Sequence, residues 1–331
     1  MSKYFVCGDI GGTKILLWLG QSIDGTTKVH LEHQYNSSNF TNFSEVLKDF
    51  LSKAKKCTPI IACFAVAGPI AEQCSNLTNL PWQIDAARIT KEFSIPNVKL
   101  INDFEAAALS IENLPENDLE TLQVGNLQTQ SMKVLLGAGT GMGVAWLTWQ
   151  DNCYIPLSTE AGHVDFAPTN SLQDNFLEFQ RKKFGHVSIE RVLSGNGLVD
   201  IFNFLQTALN KNNELMQTNI NVNNSQIVTD LALNRKHPIA LKALNIFIEI
   251  YGAYAGNLAL TGLCHGGVYL AGGIAPNIIN KLKEGNFLKS FCKKGRYSEM
   301  MKNFPIYVVM NQKIGVMGAM REIQRMKSCK N

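Results

Sequence analysis

Gly8-Asp9-Ile10-Gly11-Gly12-Thr13-Lys14 stands between two apolar runs, Tyr4 to Gly8 and Lys14 to Leu19. The pattern reads as strand, tight glycine turn, strand. Glycines let a backbone approach an anion closely, and successive N–H groups form a nest for phosphate. Asp9 could hold a water of Mg²⁺, and Thr13 could donate to an oxygen. The same residues also suit an ordinary glycine hairpin, and no Gly-Lys-Ser/Thr sequence makes them a Walker A loop. Outward from this turn, Lys28 to Gln34 alternates like a third strand. A helix follows, with Thr41 or Ser44 as its expected cap and Phe43, Val46, Leu47, Phe50 and Leu51 at helical spacing. Pro59 to Ala67 is a continuous apolar run ending in Gly68-Pro69, as a strand buried on both faces would be. Asp85 to Phe93 reads as a helix, and Val98 to Ile101 as a short strand with Asn102-Asp103 at its end. The first ~110 residues thus read βββαβαβ.

A second series of the same kind begins near Met132. Lys133 to Leu136 and Gly143 to Thr148 read as strands around Gly137-Ala138-Gly139-Thr140-Gly141-Met142-Gly143. The glycines resemble a dinucleotide fingerprint, but that motif opens a helix, whereas Val144-Ala145-Trp146-Leu147 continues as a strand. A strand–turn–strand unit holding ATP phosphates fits better. The helix Ile239 to Thr261 leads to the strand Gly267 to Ala271 and then Gly272-Gly273. The class is α/β, and two such domains facing each other would gather the glycine turns and Asp103 around one cleft.

Composition narrows the function classes. The 331 residues, 45% hydrophobic, suffice for two domains or one large one, and the net charge of +4 contains no run of Lys/Arg that would suit nucleic acid. The eight cysteines form no C-x-x-C pair, so they read as free thiols of a reducing compartment, with neither disulfide nor zinc expected. No signal peptide is apparent before Gly8, and Cys329 is too near the end for a prenylation box. The apolar stretch Leu244 to Cys264 carries Asn245, Glu249 and Asn257, which suits a buried helix better than a membrane span. A soluble cytoplasmic protein is expected, with no membrane or nucleic-acid partner. The Asn-rich stretch Asn210 to Ser225 reads as a surface loop or helix connection.

Other residues offer chemistry with a plain alternative beside each. Asp103, ionised at pH 7, could accept a hydroxyl proton, yet by local pattern it suits a helix cap for Phe104 to Ile111 better. Glu160 and His163, three apart in Glu160-Ala161-Gly162-His163, could both bond vicinal sugar hydroxyls. Glu190, after Ser188, could simply occupy the first turn of a helix.

Each site alone is weak, but their order is not. Gly8 to Lys14, Ala67-Gly68-Pro69-Ile70, Thr78-Asn79 with Trp82, Leu100 to Phe104, Gly137 to Gly143, Glu160 to Pro168, Glu190 to Gly197 and Gly266 to Pro276 resemble, in sequence, the glucokinase family of the hexokinase–actin superfamily. Gly-His-Val-Asp-Phe-Ala-Pro, from Gly162, points to its bacterial type. The resemblance implies an actin-like, hexokinase-like ATPase fold with a cleft between two domains that close over glucose. The small domain would be 1–112 plus about 312–331, with a returning helix near Ile314 to Met326, and the large one 113–311. Hinges would lie near Asn113-Leu114-Pro115 and Met310-Asn311. It implies Asp103 as catalytic base and Asn102, Asp103, Glu160, His163 and Glu190 as glucose-binding residues. ATP would meet Gly8, Asp9, Ile10, Gly11, Gly12 and Thr13, then Gly139, Thr140 and Gly141, and finally Gly272 and Gly273. Mg²⁺ would come with ATP, reached by Asp9 through water and not by direct protein ligation.

Thr159 and Ala161 stand where the family has glycines, and Asn196 where it has proline, which puts the loop shape and sugar affinity in question. The oligomer is left open, with a homodimer as one option. Three rival readings fit the sequence less well. A kinase of the repressor/open-reading-frame/kinase group, acting on mannose, fructose or an N-acetylhexosamine, usually carries a cysteine-rich zinc motif, but no Cys stands between Cys153 and Cys264. A DNA-binding sugar sensor would need a helix-turn-helix ahead of Gly8. An inactive homologue would not be expected to keep Asp103, Thr13 and both glycine turns.

Overall fold

The computed structural model describes residues 3–23, 26–54, 57–77, 80–211, 220 and 222–328. Thr78-Asn79, Cys329 and the 212–219 and 221 part of the expected surface loop lie outside the described residues. The chain divides into two compact units, Met1–Leu114 with Lys313–Asn331, and Pro115–Gln312.

The first unit opens with an antiparallel meander, β1 (Lys3–Ile10), β2 (Lys14–Ile23) and β3 (Thr26–Asn36). Helix α1 (Phe43–Ser52) follows, then β4 (Pro59–Val66), a hairpin of β5 (Cys74–Asn76) and β6 (Gln83–Asp85), α2 (Ala86–Phe93), β7 (Asn97–Asn102) and α3 (Asp103–Ser110). The sheet order is β3-β2-β1-β4-β7, with β4 parallel to both β1 and β7. Alternation along the strands gives each face its own core. Val6, Ile10, Leu17 and Phe64 face α1 and α2. Phe5, Cys7, Cys63 and Ile101 face α3 and the C-terminal helix, Ile314–Ser328, through Ala106, Leu109, Val316 and Ala319. Glu322 of that helix, 4% exposed, is paired with Lys99 of β7 at 2.6 Å and with Arg325 at 3.0 Å, so its buried charge is compensated on both sides.

Two expected caps are corrected. Neither Thr41 nor Ser44 caps α1: Asn42 Oδ1 accepts from Glu45 N–H at 3.1 Å. Thr41 is engaged by the returning Glu45 carboxylate, and Ser44 donates to Glu92. Nor is Asp103 the cap of α3. Asn102 ends β7 with extended backbone, and its Oδ1 accepts from Phe104 N–H and Glu105 N–H at 2.9 and 3.3 Å, which places Asp103 in the first helical turn.

The second unit repeats the motif with other residues. Strands β8 (Leu119–Gln123), β9 (Lys133–Ala138), β10 (Met142–Gln150) and β11 (Cys153–Thr159) precede α4 (Ser171–Phe184), α5 (Gly195–Lys211), α6 (Ser225–Leu233) and α7 (Pro238–Gly262). Then come β12 (Val268–Ala271), α8 (Ile274–Asn277), α9 (Ile279–Leu282), α10 (Asn286–Cys292), α11 (Ser298–Met301) and β13 (Ile306–Val309). The sheet order is β11-β10-β9-β12-β13-β8, again a meander joined to parallel strands β9, β12 and β13, with β8 antiparallel at the far edge. Val134, Leu136 and Val144 pack with Leu198 and Phe202 of α5 and Phe247, Tyr251 and Tyr254 of α7 in one core. Among the described residues no helix is long and apolar enough to cross a membrane.

Candidate active site

In the first unit the β1–β2 hairpin is closed by Gly11 N–H donating to Lys14 O at 3.0 Å. The Ser37 hydroxyl braces it from outside, donating to Gly11 O at 3.1 Å. Parallel pairing aligns Ile10 with Val66 and Val66 with Asn102, so β1, β4 and β7 end at one sheet edge. That edge carries the glycine turn and Asn102-Asp103, the place where open α/β sheets take ligands. Asn102 Nδ2 donates to Gly68 O at 3.3 Å, which ties the end of β7 to the loop after β4.

Asp9 points to the same sheet face as Cys7, toward the start of the C-terminal helix. A Cβ on Gly315 would overlap the Asp9 carboxylate, so only glycine lets that helix end come so close. Burial first, and then the neighbouring Asp103 charge, together push the Asp9 carboxyl up to about 7 from the ordinary 3.8. Two carboxylates that repel at one sheet edge suit a site whose full ligand brings positive charge.

In the second unit the β9–β10 hairpin is the other glycine turn. Gly139 N–H donates to Gly141 O at 2.9 Å, and Gly195 N–H, at the start of α5, donates to Gly139 O at 2.8 Å. Gly272 follows β12 at φ +79, a left-handed conformation suited to glycine, and a Cβ there would meet Ala138 O at 2.5 Å. These turns border a cavity of about 790 Å³, lined by Gly139, Thr140, Asn196, Ser225, Asp230 and Gly273 among others. Its size suits a small-molecule site. The sequence reading missed the α6 wall. The signal was Asn224-Ser225 ahead of an apolar helix, a capping pattern hidden in a stretch read as loop.

Glu160 and His163 sit on a tight 3-10 turn after β11, closed by His163 N–H donating to Glu160 O at 2.9 Å. The turn leans on the glycine hairpin: a Cβ on Gly162 would overlap Met142 O. Glu190 is not in a helix, as one expectation had it, but in a turn before α5. Its N–H donates to Gly162 O at 2.9 Å, and its Oε2 accepts from Met142 N–H at 3.0 Å. A Cβ on Gly141 would come within 2.5 Å of that same oxygen. The structure therefore brings Glu160, His163, Glu190 and the Gly139–Gly141 turn together.

Known proteins resemble this chain in sequence and fold. The Glucokinase family model matches residues 6–326. The glucokinase of Nostoc punctiforme is 38% identical over 95% of this chain and 97% of its own, and that of Synechocystis is 37% identical over 96% and 97%. A crystal structure of a glucokinase from an Antarctic psychrotroph superposes with a TM-score of 0.85 at 29% identity, covering 98% of this chain and 99% of that one. A glucokinase from Balamuthia mandrillaris shares the fold, with a TM-score of 0.77 at 20% identity. With the family's ordered motifs placed on its actin-like, hexokinase-like fold, the chain belongs to the Glucokinase family.

Proposed function

We propose that this protein transfers the γ-phosphoryl group of ATP to the 6-hydroxyl of glucose, with Asp103 as the base. The observation that carries the base assignment is the sheet edge where Asp103 stands beside the Asp9 turn, close enough for the two charges to repel. Asn102 is committed to capping α3, so the next residue starts the helix and keeps a carboxylate at the strand end. Asp103 accepts the hydroxyl proton as the sugar oxygen bonds to phosphorus and the bond to the ADP oxygen breaks, a step worth ~10²–10⁴-fold. Most of the remaining catalysis is positioning and charge stabilisation.

Asn102, Glu160, His163 and Glu190 are the proposed sugar ligands. Gly8 to Thr13, Gly139 to Gly141 and Gly272-Gly273 are the proposed ATP contacts, and the 790 Å³ cavity supports placing the nucleoside beside the last two. A Mg²⁺ accompanying ATP would supply positive charge against the phosphates, and the raised Asp9 carboxyl fits a role toward it through water. A cytoplasmic homodimer is part of the proposal, to be checked by light scattering.

A coupled assay of glucose, mannose, fructose, glucosamine and N-acetylglucosamine with ATP and Mg²⁺ tests the substrate. Strong preference for fructose or an N-acetylhexosamine would overturn it. Asp103→Asn tests the base: glucose binding should survive while turnover falls ~10²-fold or more. Unchanged kcat would remove Asp103 from the chemistry.

A further inference from the structure

We propose that the hydroxyls of Thr159 and Tyr254 are positioning groups that set sugar affinity by fixing the Glu160–His163 turn. This rests on the reading of Glu160 and His163 as sugar ligands. Thr159, the last residue of β11, leads straight into the turn, and Ala161 is the first residue inside it. The hydroxyl that Thr159 brings is used twice: it donates to Val144 O of β10 at 2.9 Å and accepts from Ala161 N–H at 3.2 Å. The other polar group of Ala161 is also held, since its carbonyl accepts from the Tyr254 hydroxyl at 2.5 Å.

Ala161 N–H belongs to the peptide joining it to Glu160, and its C=O to the peptide joining it to Gly162. Holding both fixes the two peptide planes that aim Glu160 and lead to His163. Glu160 has φ −105° and ψ 35°, and the bonds to both polar groups of Ala161 hold the peptides that follow it. Tyr254 is well suited to the task. It is 4% exposed on the long helix α7, so it cannot swing away, and an unpaired hydroxyl there would lose its bonding with no water to replace it.

The test compares Thr159→Val, Tyr254→Phe, their double variant and Thr159→Ser. Steady-state kinetics would vary glucose and Mg·ATP separately, with glucose Kd measured by calorimetry. Losing one such bond should raise glucose KM and Kd about five- to thirtyfold, with ATP KM held within about twofold. Thr159→Ser should return the glucose KM to near wild type, and the double variant should lose less than the product of the singles, because both hydroxyls act on one turn. A purely structural role would lower the melting temperature and raise both KM values together, which would overturn the proposal. So would glucose Kd staying within about twofold of wild type in both single variants. Glu160→Gln separates the premises. If it binds glucose as wild type does, the sugar-ligand reading fails. If it loses glucose while Thr159→Val and Tyr254→Phe keep it, only the positioning inference fails.

Discussion

Replacing Asp9 by asparagine should make the ligand-free protein more stable while disabling it. The Asp9 carboxyl titrates near 3.8 in an unfolded chain and at about 7 in the fold, because burial and then the Asp103 charge disfavour its ionised form. Between those values the folded chain binds more protons than the unfolded one. The contribution of Asp9 to wild-type stability therefore falls as pH rises through this window, and levels off above about 7. The interval corresponds to about 4 kcal/mol at about 1.4 kcal/mol per tenfold. Asp9 keeps some contact with solvent, which screens the penalty, so about 2 kcal/mol is the expected effect. Asparagine has nearly the same shape and no charge. Urea denaturation followed by tryptophan fluorescence should find Asp9→Asn more stable by about 2 kcal/mol at pH 8 and by under about 1 kcal/mol at pH 4. Turnover should fall ~10²-fold or more, since the amide no longer offers negative charge toward a nucleotide-bound cation. Mg·ATP should correspondingly stabilise the wild type more than the variant. A stability gain of the same size at both pH values would refute the reasoning, and so would no gain at pH 8.

Gly318→Ala should cost about 3 kcal/mol by denaturant titration, since its Cβ would overlap Ala106 O where the C-terminal helix meets α3, and backbone cannot yield as a side chain can. Glu190→Ala should raise KM for both ATP and glucose about tenfold or more, because Met142 N–H in the glycine hairpin loses its acceptor, whereas Glu160→Ala should raise the glucose value alone. All eight thiols should titrate in denaturant without reductant. In the native protein, buried Cys7, Cys63 and Cys264 should react last; burial pushes all three thiols up, Cys264 to about 12, and metal analysis finding one zinc per chain would contradict the free-thiol reading.

The parts of the fold that were legible are those whose burial leaves a pattern. β4 is the middle of a parallel set and is covered on both faces, so Pro59 to Val66 reads as one apolar run. The strands that were missed are short or lie at an edge, and they include β13, whose four residues Ile306–Val309 are too few to show a period. β11 holds Pro156 opposite Leu147, and a proline inside a run argues against a strand unless it lies at an edge, where β11 is. β8 is the opposite edge, half-buried along its length, so it shows no clear alternation. β5 and β6 have three residues each, too few for any period. The site divides in the same way. Glycine turns and Asn102-Asp103 are contiguous in the chain and could be read from it. Gly315 beneath Asp9, the bond from Met142 to Glu190 and the reach of Tyr254 to Ala161 join residues far apart in sequence, and no local pattern encodes them.

The shared topology sets two similar hairpins among different neighbours. In each unit a meander joins a parallel strand, so the first hairpin opens at the edge where that neighbour ends. In the first unit the neighbouring ends supply Asn102 and Asp103, and the hairpin supplies Asp9. That edge gathers carboxylates and is suited to moving a proton and meeting a cation. In the second unit β12 ends in Gly272-Gly273 beside Ala138, and the hairpin has no acid of its own. That edge gathers backbone N–H groups and a cavity, suited to holding a nucleotide. Of the carboxylates near that edge, Glu190 is bonded to Met142 N–H and braces the turn, while Asp230 stands on the α6 wall of the cavity. The same backbone plan thus carries different side chains in the two units, and those side chains, not the plan itself, set what each edge can do.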